Sequence, residues 1–213
     1  SISGTPVETR NFTWETGINM AGNRGTMDGL PEGMEFMYVT DVQYAGAKAC
    51  SISGGNFMAI SGTQWARTAD GKVILDANGF PTQNTATVQV GNREAKFTGG
   101  WNNTLTWKNW TFNMLWEFRV GGDVFNGTKY AMTMAGTSKW SGEFRNEPLT
   151  ITGVQADGKD AAGNTIYKEV TNTWEPDKVY TFGGKETLGY NIIQSYYTGA
   201  YNYEVANWLT SVN

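Results

Sequence analysis

The segment Trp-Thr-Phe-Asn-Met-Leu-Trp-Glu-Phe-Arg-Val, residues 110–120, alternates between large apolar side chains and mostly polar ones. A period of two places the two sets on opposite faces of a β-strand. One face carries aromatic rings and a methionine, whereas the other carries Asn113, Glu117 and Arg119. The pattern therefore predicts a strand that separates an apolar environment from water.

Two further segments, residues 9–20 and 96–106, show the same alternation. The turn Trp107-Lys108-Asn109 joins the second of them to residues 110–120, which predicts a tight antiparallel hairpin. No apolar run is long enough for a membrane helix, but a membrane-spanning β-strand needs only about 9–11 alternating residues. All three segments meet that length.

Long regions of mixed character, at about 22–94 and 121–203, separate and follow these strands. Excursions of this length are unusual in a compact soluble domain. They are typical of outer-membrane β-barrels, which have tight turns on one side and long loops on the other. The lopsided spacing therefore favours a barrel wall.

Alternation is weaker inside the long regions and predicts only short elements. The expected elements are strands at 35–42 and 57–60, hairpins at 64–76 and 149–170, and a short helix around 203–210. The second hairpin should turn at Asp157-Gly158, because Asp-Gly favours positive φ.

Composition excludes several functions. The formal net charge of -4 offers no basic excess for phosphates, so we expect no nucleic-acid partner. The chain has no histidine, and Cys50 is its single cysteine. These absences remove the commonest general base, the commonest metal ligand and any internal disulfide. We therefore expect no catalytic residue, no metal and no cofactor.

Glu15 and Glu117 are the only acidic residues inside the three alternating strands. Two carboxylates about 5–10 Å apart could hydrolyse glycosides, so a β-jelly-roll hydrolase is an alternative. The sequence does not bring the two residues together, and side chains facing water explain them without any chemistry.

Aromatic residues of the long regions are candidates for ligand or partner contacts, because rings bury area with little loss of rotamer entropy. The candidates are Trp65, Trp140, Trp174, Tyr190, Tyr196 and Tyr197. The alternative is that these rings pack the long regions against one another.

Three motifs occur in a distinctive order: Gly-Asn-Arg-Glu-Ala-Lys-Phe-Thr-Gly-Gly-Trp-Asn-Asn-Thr at 91–104, Trp-Lys-Asn-Trp-Thr-Phe-Asn-Met-Leu at 107–115 and Gly-Gly-Asp-Val-Phe-Asn-Gly-Thr at 121–128. Together they resemble the SusC/RagA family of TonB-linked outer-membrane nutrient transporters. Similar stretches occur at 5–19, 70–81 and 192–197, so the resemblance covers nearly the whole chain. Ala95 departs from the family, which usually has proline there.

The resemblance implies a 22-stranded barrel with an N-terminal plug, of which 213 residues supply only a few strands. The chain begins at Ser1 without methionine and looks like a segment from the C-terminal half of such a barrel. By resemblance, the whole protein lies in the outer membrane of a Gram-negative bacterium. It imports oligosaccharides or peptides with a SusD-like surface lipoprotein, and the TonB system acts through the missing N-terminal part.

Pattern and resemblance agree on an orientation. Turns near Pro6–Thr9 and Trp107–Asn109 should be periplasmic, and 22–94 and 121–203 extracellular. The side chains expected to face outer-membrane lipid are Phe12, Trp14, Ile18, Met20, Phe97, Trp101, Trp110, Phe112, Met114, Trp116 and Phe118. Those expected to face the lumen are Asn11, Thr13, Glu15, Asn113, Glu117 and Arg119.

The predicted fold class is therefore all-β: antiparallel strands of a partial transmembrane β-barrel with long extracellular loops, over residues 1–213. A soluble all-β carbohydrate-binding module with aromatic platforms is the alternative. In such a module a second sheet must cover the apolar face. Trp14, Phe112 and Trp116 would then be buried.

Overall fold

The computed structural model describes residues 1–40 and 43–212. In chain order the strands are β1 (Ile2–Glu8), β2 (Phe12–Ala21), β3 (Thr26–Met27), β4 (Phe36–Tyr38), β5 (Lys48–Ile52), β6 (Gly55–Asn56), β7 (Ala59–Trp65), β8 (Gln83–Asn92), β9 (Phe97–Trp107), β10 (Trp110–Val120), β11 (Asp123–Phe125), β12 (Leu149–Lys159), β13 (Thr165–Trp174), β14 (Val179–Phe182), β15 (Lys185–Leu188) and β16 (Leu209–Ser211). The helices are α1 (Gly127–Met134), α2 (Lys139–Phe144) and α3 (Gly189–Thr198), with 3-10 turns at Ala200–Tyr203 and Val205–Trp208.

Four antiparallel strands form the main sheet, in the order β1-β2-β9-β10. The prediction of antiparallel β-structure is confirmed, and the alternating segments correspond to β2, β9 and β10. Alternation did not reveal β1, because Gly4 and Pro6 interrupt it and the register shifts between Gly4 and Val7. Within the described residues the sheet is open, with β1 and β10 at its edges.

Both short turns of the main sheet lie at the same end. The first turn was predicted near Pro6–Thr9, but those residues belong mostly to β1 and the chain reverses at Thr9–Asn11. There the Phe12 N–H donates to Thr9 Oγ1 at 3.0 Å. The second turn is Lys108-Asn109, and the Lys108 N–H donates to the Asn11 carbonyl at 2.9 Å.

The two long regions leave from the opposite end of the main sheet, and we call residues 22–96 the first excursion and 121–212 the second. They are not loops without regular structure. The first contains the antiparallel sheet β4-β5-β7-β8, and the second contains the hairpins β12–β13 and β14–β15 together with α1, α2 and α3. Of the strand predicted at 35–42, only β4 is regular, and residues 41 and 42 lie outside the described residues.

Three local predictions need correction or refinement. The β12–β13 hairpin turns at residues 160–164, whereas Gly158, at φ 103°, lies where the register of β12 shifts between Ala156 and Lys159. The hairpin predicted at 64–76 is present as a single bridge between Arg67 and Val73. Around 203–210, a 3-10 turn runs into β16 instead of an α-helix.

Buried side chains from both excursions share two apolar cores, which hold the excursions together. The larger core contains Leu75 and Phe80 of the first excursion and Phe144, Leu149, Ile151, Trp174, Ile192, Ile193, Tyr196 and Ala200 of the second. The smaller contains Ala47, Ile60 and Val205. Cys50 is buried and unpaired in the first excursion.

Candidate functional site

The main sheet has two chemically distinct faces, set by its register. Directly opposed residues in an antiparallel sheet share a face. Trp14 opposes Leu105, and Leu105 opposes Phe112. Extending this register, every residue predicted to face lipid lies on one face, which we call the apolar face. Ile2 of β1 joins it opposite Ile18.

The apolar face is uncovered. Trp110, Phe112 and Trp116 are 76%, 59% and 58% exposed, and Trp14 is half-buried. A continuous exposed apolar surface over neighbouring strands is unusual for a soluble monomer. No second sheet of the described chain packs on it. The apolar face is therefore not covered in the way that a soluble β-sandwich requires.

The length of the strands matches the thickness of a bilayer. The strands β9 and β10 each have 11 residues. At about 3.4 Å per residue and a tilt of about 40°, they rise about 26 Å, close to the apolar band of roughly 25 Å on outer-membrane barrels. Aromatic rings mark both ends, with Trp107 and Trp110 paired at the turns and Phe97 and Phe118 edge-to-face at 6.3 Å at the other end.

A small polar cluster interrupts the apolar face at mid-strand. Asn103 Oδ1 accepts from Trp14 Nε1 at 3.0 Å and from the Thr16 hydroxyl at 2.8 Å. Trp101 Nε1 in turn donates to Thr16 Oγ1 at 2.8 Å. The Asn103 oxygen, the Thr16 hydroxyl and the two indole N–H groups are satisfied within the cluster. Asn103 Nδ2 is buried without a hydrogen-bond partner among the described residues.

The opposite face, the polar face, carries the residues predicted to face the lumen, except that Asn11 lies in the first turn. Leu115, 63% exposed, is an apolar exception on it. Glu15 on β2 opposes Thr104 of β9. Glu117 lies on β10, two strands away from β2, and opposes Gly100 of β9. This register separates the two carboxylates by about 16 Å, beyond the range of a glycosidase pair.

Two of the aromatic contact candidates are core residues. Trp174 and Tyr196 are only 6% and 7% exposed, and both rings contact Phe80, at 5.5 and 5.6 Å between centroids. Their prediction as ligand or partner contacts is therefore wrong: two long excursions need a core, and these rings supply it. Burial also raises the pKa of the Tyr196 phenol above its ordinary value.

The other aromatic candidates are half-buried and engaged with neighbours. Trp65 Nε1 donates to the Ala200 carbonyl at 2.8 Å, and Tyr197 stacks on Phe144 at 3.9 Å. Trp140 meets Tyr197 edge-to-face at 5.3 Å, and the Tyr190 N–H donates to the Pro176 carbonyl at 2.9 Å. Burial raises the pKa of Tyr197 as well. The exposed parts of these four residues remain available, so their contact role stays a prediction.

A cavity of about 330 Å³ lies where the main sheet meets the excursions, and sequence reasoning missed it. Its charged lining comes from Lys48 on β5, Arg93 after β8, Arg119 on β10 and Asp123 on β11. Tyr44 and Phe125 add aromatic walls. These residues are far apart in sequence, and of them only Arg119 was a predicted site residue, so no sequence signal pointed to the cavity.

Residues 1–40 and 43–212 contain neither a membrane-spanning helix nor a metal-binding cluster. No helix there is long and apolar enough to cross a membrane. No group of three or more acidic, histidine or cysteine side chains is arranged to hold a metal ion in that part of the chain.

Known proteins similar to this chain include a TonB-dependent receptor and a solved transporter structure. No family model matches the chain. The chain is similar to TonB-dependent receptor P3 of Formosa agariphila, with 24% identity over 224 aligned residues that cover 92% of this chain and 21% of the receptor. It therefore spans about a fifth of the length of that curated relative. Among solved structures, the RagAB peptide transporter is similar over 95% of this chain and 27% of the transporter chain, with 14% identity and a TM-score of 0.43. The similarity to the receptor confirms the resemblance to TonB-linked transporters that the sequence motifs indicate.

Proposed function

We propose that this chain is part of the barrel wall and of the extracellular region of a TonB-dependent importer in the outer membrane of a Gram-negative bacterium. The uncovered apolar face of the main sheet is the observation that carries the proposal. Tight turns at one end of that sheet and long excursions at the other support it, as does the similarity to a TonB-dependent receptor.

In this function the apolar face contacts lipid hydrocarbon and the polar face lines the lumen. The edges β1 and β10 pair with neighbouring strands of a closed barrel, because unpaired backbone groups in hydrocarbon cost several kcal/mol each. We infer that the barrel has the 22 strands of such transporters. The polar cluster at Asn103 lies near mid-membrane, where its hydrogen bonds to Trp14 and Thr16 are internal to the sheet.

Both excursions face the outside of the cell and meet the partners of the importer. We infer a SusD-like surface lipoprotein as the protein partner and an oligosaccharide or a peptide as the imported substrate. The exposed parts of Trp65, Trp140, Tyr190 and Tyr197 are candidate contacts. Energy comes from the TonB system through a part of the receptor other than this chain, and the chain performs no covalent chemistry.

Spin labels test the two-faced wall. In the complete gene product with Cys50→Ala, single cysteines replace Phe112, Asn113, Trp116 and Glu117 and carry a nitroxide, in phosphatidylcholine vesicles. Labels at 112 and 116 should collide mainly with dissolved oxygen, and labels at 113 and 117 with a water-soluble nickel chelate.

A label at Phe57 serves as the matched control, because this residue is 47% exposed in the first excursion and should collide with the nickel chelate. Labels at 112 and 116 that reach neither reagent would show a face sealed by protein. That result would contradict the proposed lipid-facing wall and favour a soluble module.

A further inference from the structure

The cavity between the main sheet and the excursions has an excess of positive charge. Lys48, Arg93 and Arg119 line it against a single carboxylate, Asp123. That carboxylate is already engaged, because Asp123 Oδ1 accepts from the Ser211 hydroxyl at 2.6 Å and Oδ2 from the Asn92 N–H at 2.9 Å. Among the described residues, no acidic side chain lies within 4.0 Å of the cationic groups of Lys48, Arg93 or Arg119.

The two arginines are held side by side with donors to spare. The Arg119 guanidinium donates to the backbone carbonyl of Arg93. Gly122 allows this approach, because its φ is 91° and a Cβ there would lie 2.8 Å from the Arg93 carbonyl oxygen. Arg93 Nε is buried and has no hydrogen-bond partner among the described residues. The guanidinium of Arg93 is therefore not saturated by hydrogen bonds within the described residues.

Aromatic rings form the remaining wall of the cavity. Tyr44 meets Phe125 edge-to-face at 5.8 Å and Tyr130 at 5.6 Å, which fixes the ring of Tyr44. The Lys48 ammonium lies over the Tyr38 ring at 4.7 Å, whereas the two arginines have no acidic partner among the described residues. A fixed ring beside these arginines suits an oligomer that has a carboxylate on one unit and an apolar surface on the next.

We propose that this cavity binds a carboxylate group of the imported substrate, with the guanidinium groups of Arg93 and Arg119 as its main ligands. A guanidinium matches a carboxylate with two parallel N–H donors, which a lone ammonium cannot do. The proposal rests on the proposed function, because Arg119 lies on the polar face that would line the lumen. The substrate class is therefore an acidic oligomer, either a sugar acid or an acidic peptide.

Calorimetric titration of the complete gene product in detergent tests this inference. The acidic probes are tetragalacturonate and tetraglutamate, and their neutral counterparts are galactotetraose and tetraglutamine. At least one acidic probe should bind more tightly than its counterpart, and the probe that does so identifies the source of the carboxylate. In the double variant Arg93→Gln and Arg119→Gln, its affinity should fall about tenfold or more, since hydrogen bonds to charged groups are strong.

Lys96→Gln is the matched control, because this exposed cation lies at the same end of the sheet but lines a different cavity. Its affinity should stay within about twofold of the unchanged protein, as expected for a screened surface charge. The single variant Arg119→Gln removes an exposed side chain and should show a partial loss even if the double variant folds poorly.

Two results would overturn the cavity proposal: equal binding of acidic and neutral probes, or an equal loss in Lys96→Gln. The spin-label experiment does not depend on the cavity. If the spin labels show lipid-facing strands but the acidic probes bind no more tightly than the neutral ones, the carboxylate site is refuted. The proposed importer function is then still supported.

Discussion

At the scale of single residues, the most informative position is Asn103. Its side chain is only 4% exposed and lies on the apolar face, where alternation calls for an apolar residue. The cost of burying an amide is offset because two donors on β2, Trp14 Nε1 and the Thr16 hydroxyl, converge on its oxygen. The Asn103 oxygen thus serves two neighbouring donors, of which the Thr16 hydroxyl also contacts the Asn102 carbonyl at 3.2 Å. The Asn103 Nδ2 group has no partner among the described residues.

We expect Asn103→Ala to destabilise the complete protein by about 1–3 kcal/mol, because the half-buried Trp14 and Thr16 donors lose their shared acceptor. Thermal unfolding in detergent measures the effect as a lower melting temperature. Asn113→Ala is the control, since Asn113 is exposed on the polar face and its loss should change little. Equal melting temperatures for both variants would show that the cluster contributes nothing to stability.

Alternation predicts which side chains of the main sheet share a face, because a period of two follows directly from strand geometry, and the register of β2, β9 and β10 has the same grouping. It left Asn103 unexplained. The hydrogen bonds of this residue depend on the pairing of Thr16 with Asn103 across β2 and β9, and no local pattern encodes the register of strands so distant in sequence. The cavity at Arg93 was missed for the same reason.

At the scale of elements, the β12–β13 hairpin shows how a turn is chosen. Asp157-Gly158 is the stronger turn signal in the sequence, yet the chain reverses at residues 160–164. Asp160 Oδ1 accepts from the backbone N–H groups of Ala162 and Asn164 at 2.9 and 2.8 Å. Gly163 supplies the positive φ of 87°. The side-chain bonds of Asp160 therefore outweigh a favourable dipeptide.

The turn should weaken in acid. Hydrogen bonds, first from the Asn164 side chain and then from backbone N–H groups, hold the pKa of Asp160 below its ordinary 3.8. A carboxylate with a lowered pKa stabilises the fold above the unfolded value, and this contribution is lost as the pH falls through the folded value. Amide exchange in β12–β13, compared with Asp160→Ala, should show extra protection near neutral pH that is lost as the pH falls below the ordinary carboxyl value of 3.8 and through the lower folded-state pKa.

Asp157→Ala, three residues away and outside the turn, should retain the protection of the unchanged chain at neutral pH. If the protection did not depend on pH, or if both alanine variants lost it equally, the carboxylate of Asp160 would not be what holds the turn.

The helices show why the excursions could not be predicted in detail. In α3, Ile192, Ile193 and Tyr196 lie on one buried face at helical spacing, so a weak signal was present. Branched and aromatic residues also favour strands, and the segment is short, so periodicity alone does not decide between them. The residues that cap the other two helices indicate helix starts more clearly. At the start of α1, the Asn126 side chain accepts from the Lys129 N–H, and at the start of α2, the Ser138 side chain accepts from the Ser141 N–H.

At the scale of the whole molecule, the two excursions behave as one packed unit above the main sheet. Their larger core joins residues more than a hundred positions apart, such as Leu75 and Ile192. No local sequence pattern predicts that these residues contact each other, because both excursions look like independent long loops when read along the chain. A shared core couples the two excursions, and Lys48 of the first excursion lies with Arg119 of β10 beside one cavity.

Phe80 is the residue through which this coupling is best tested. It is 8% exposed, belongs to the first excursion, and its ring lies 5.0 Å from Phe182 and 5.6 Å from Tyr196 of the second. Phe80→Ala should cost about 3–5 kcal/mol, because it empties a volume that the surrounding rings cannot fill. Since most of those rings belong to the second excursion, α3 and β13 should exchange their amide hydrogens faster, whereas β9 and β10 should not.

Phe57→Ala, which removes an equally large but 47% exposed ring from the same excursion, should leave α3 unchanged. Exchange mass spectrometry of the complete protein separates the two outcomes. Faster exchange confined to the first excursion would mean that the excursions fold independently. The cavity lined by Lys48 and Arg119 would then lack the support of a common core, and its geometry would have to come from the main sheet alone.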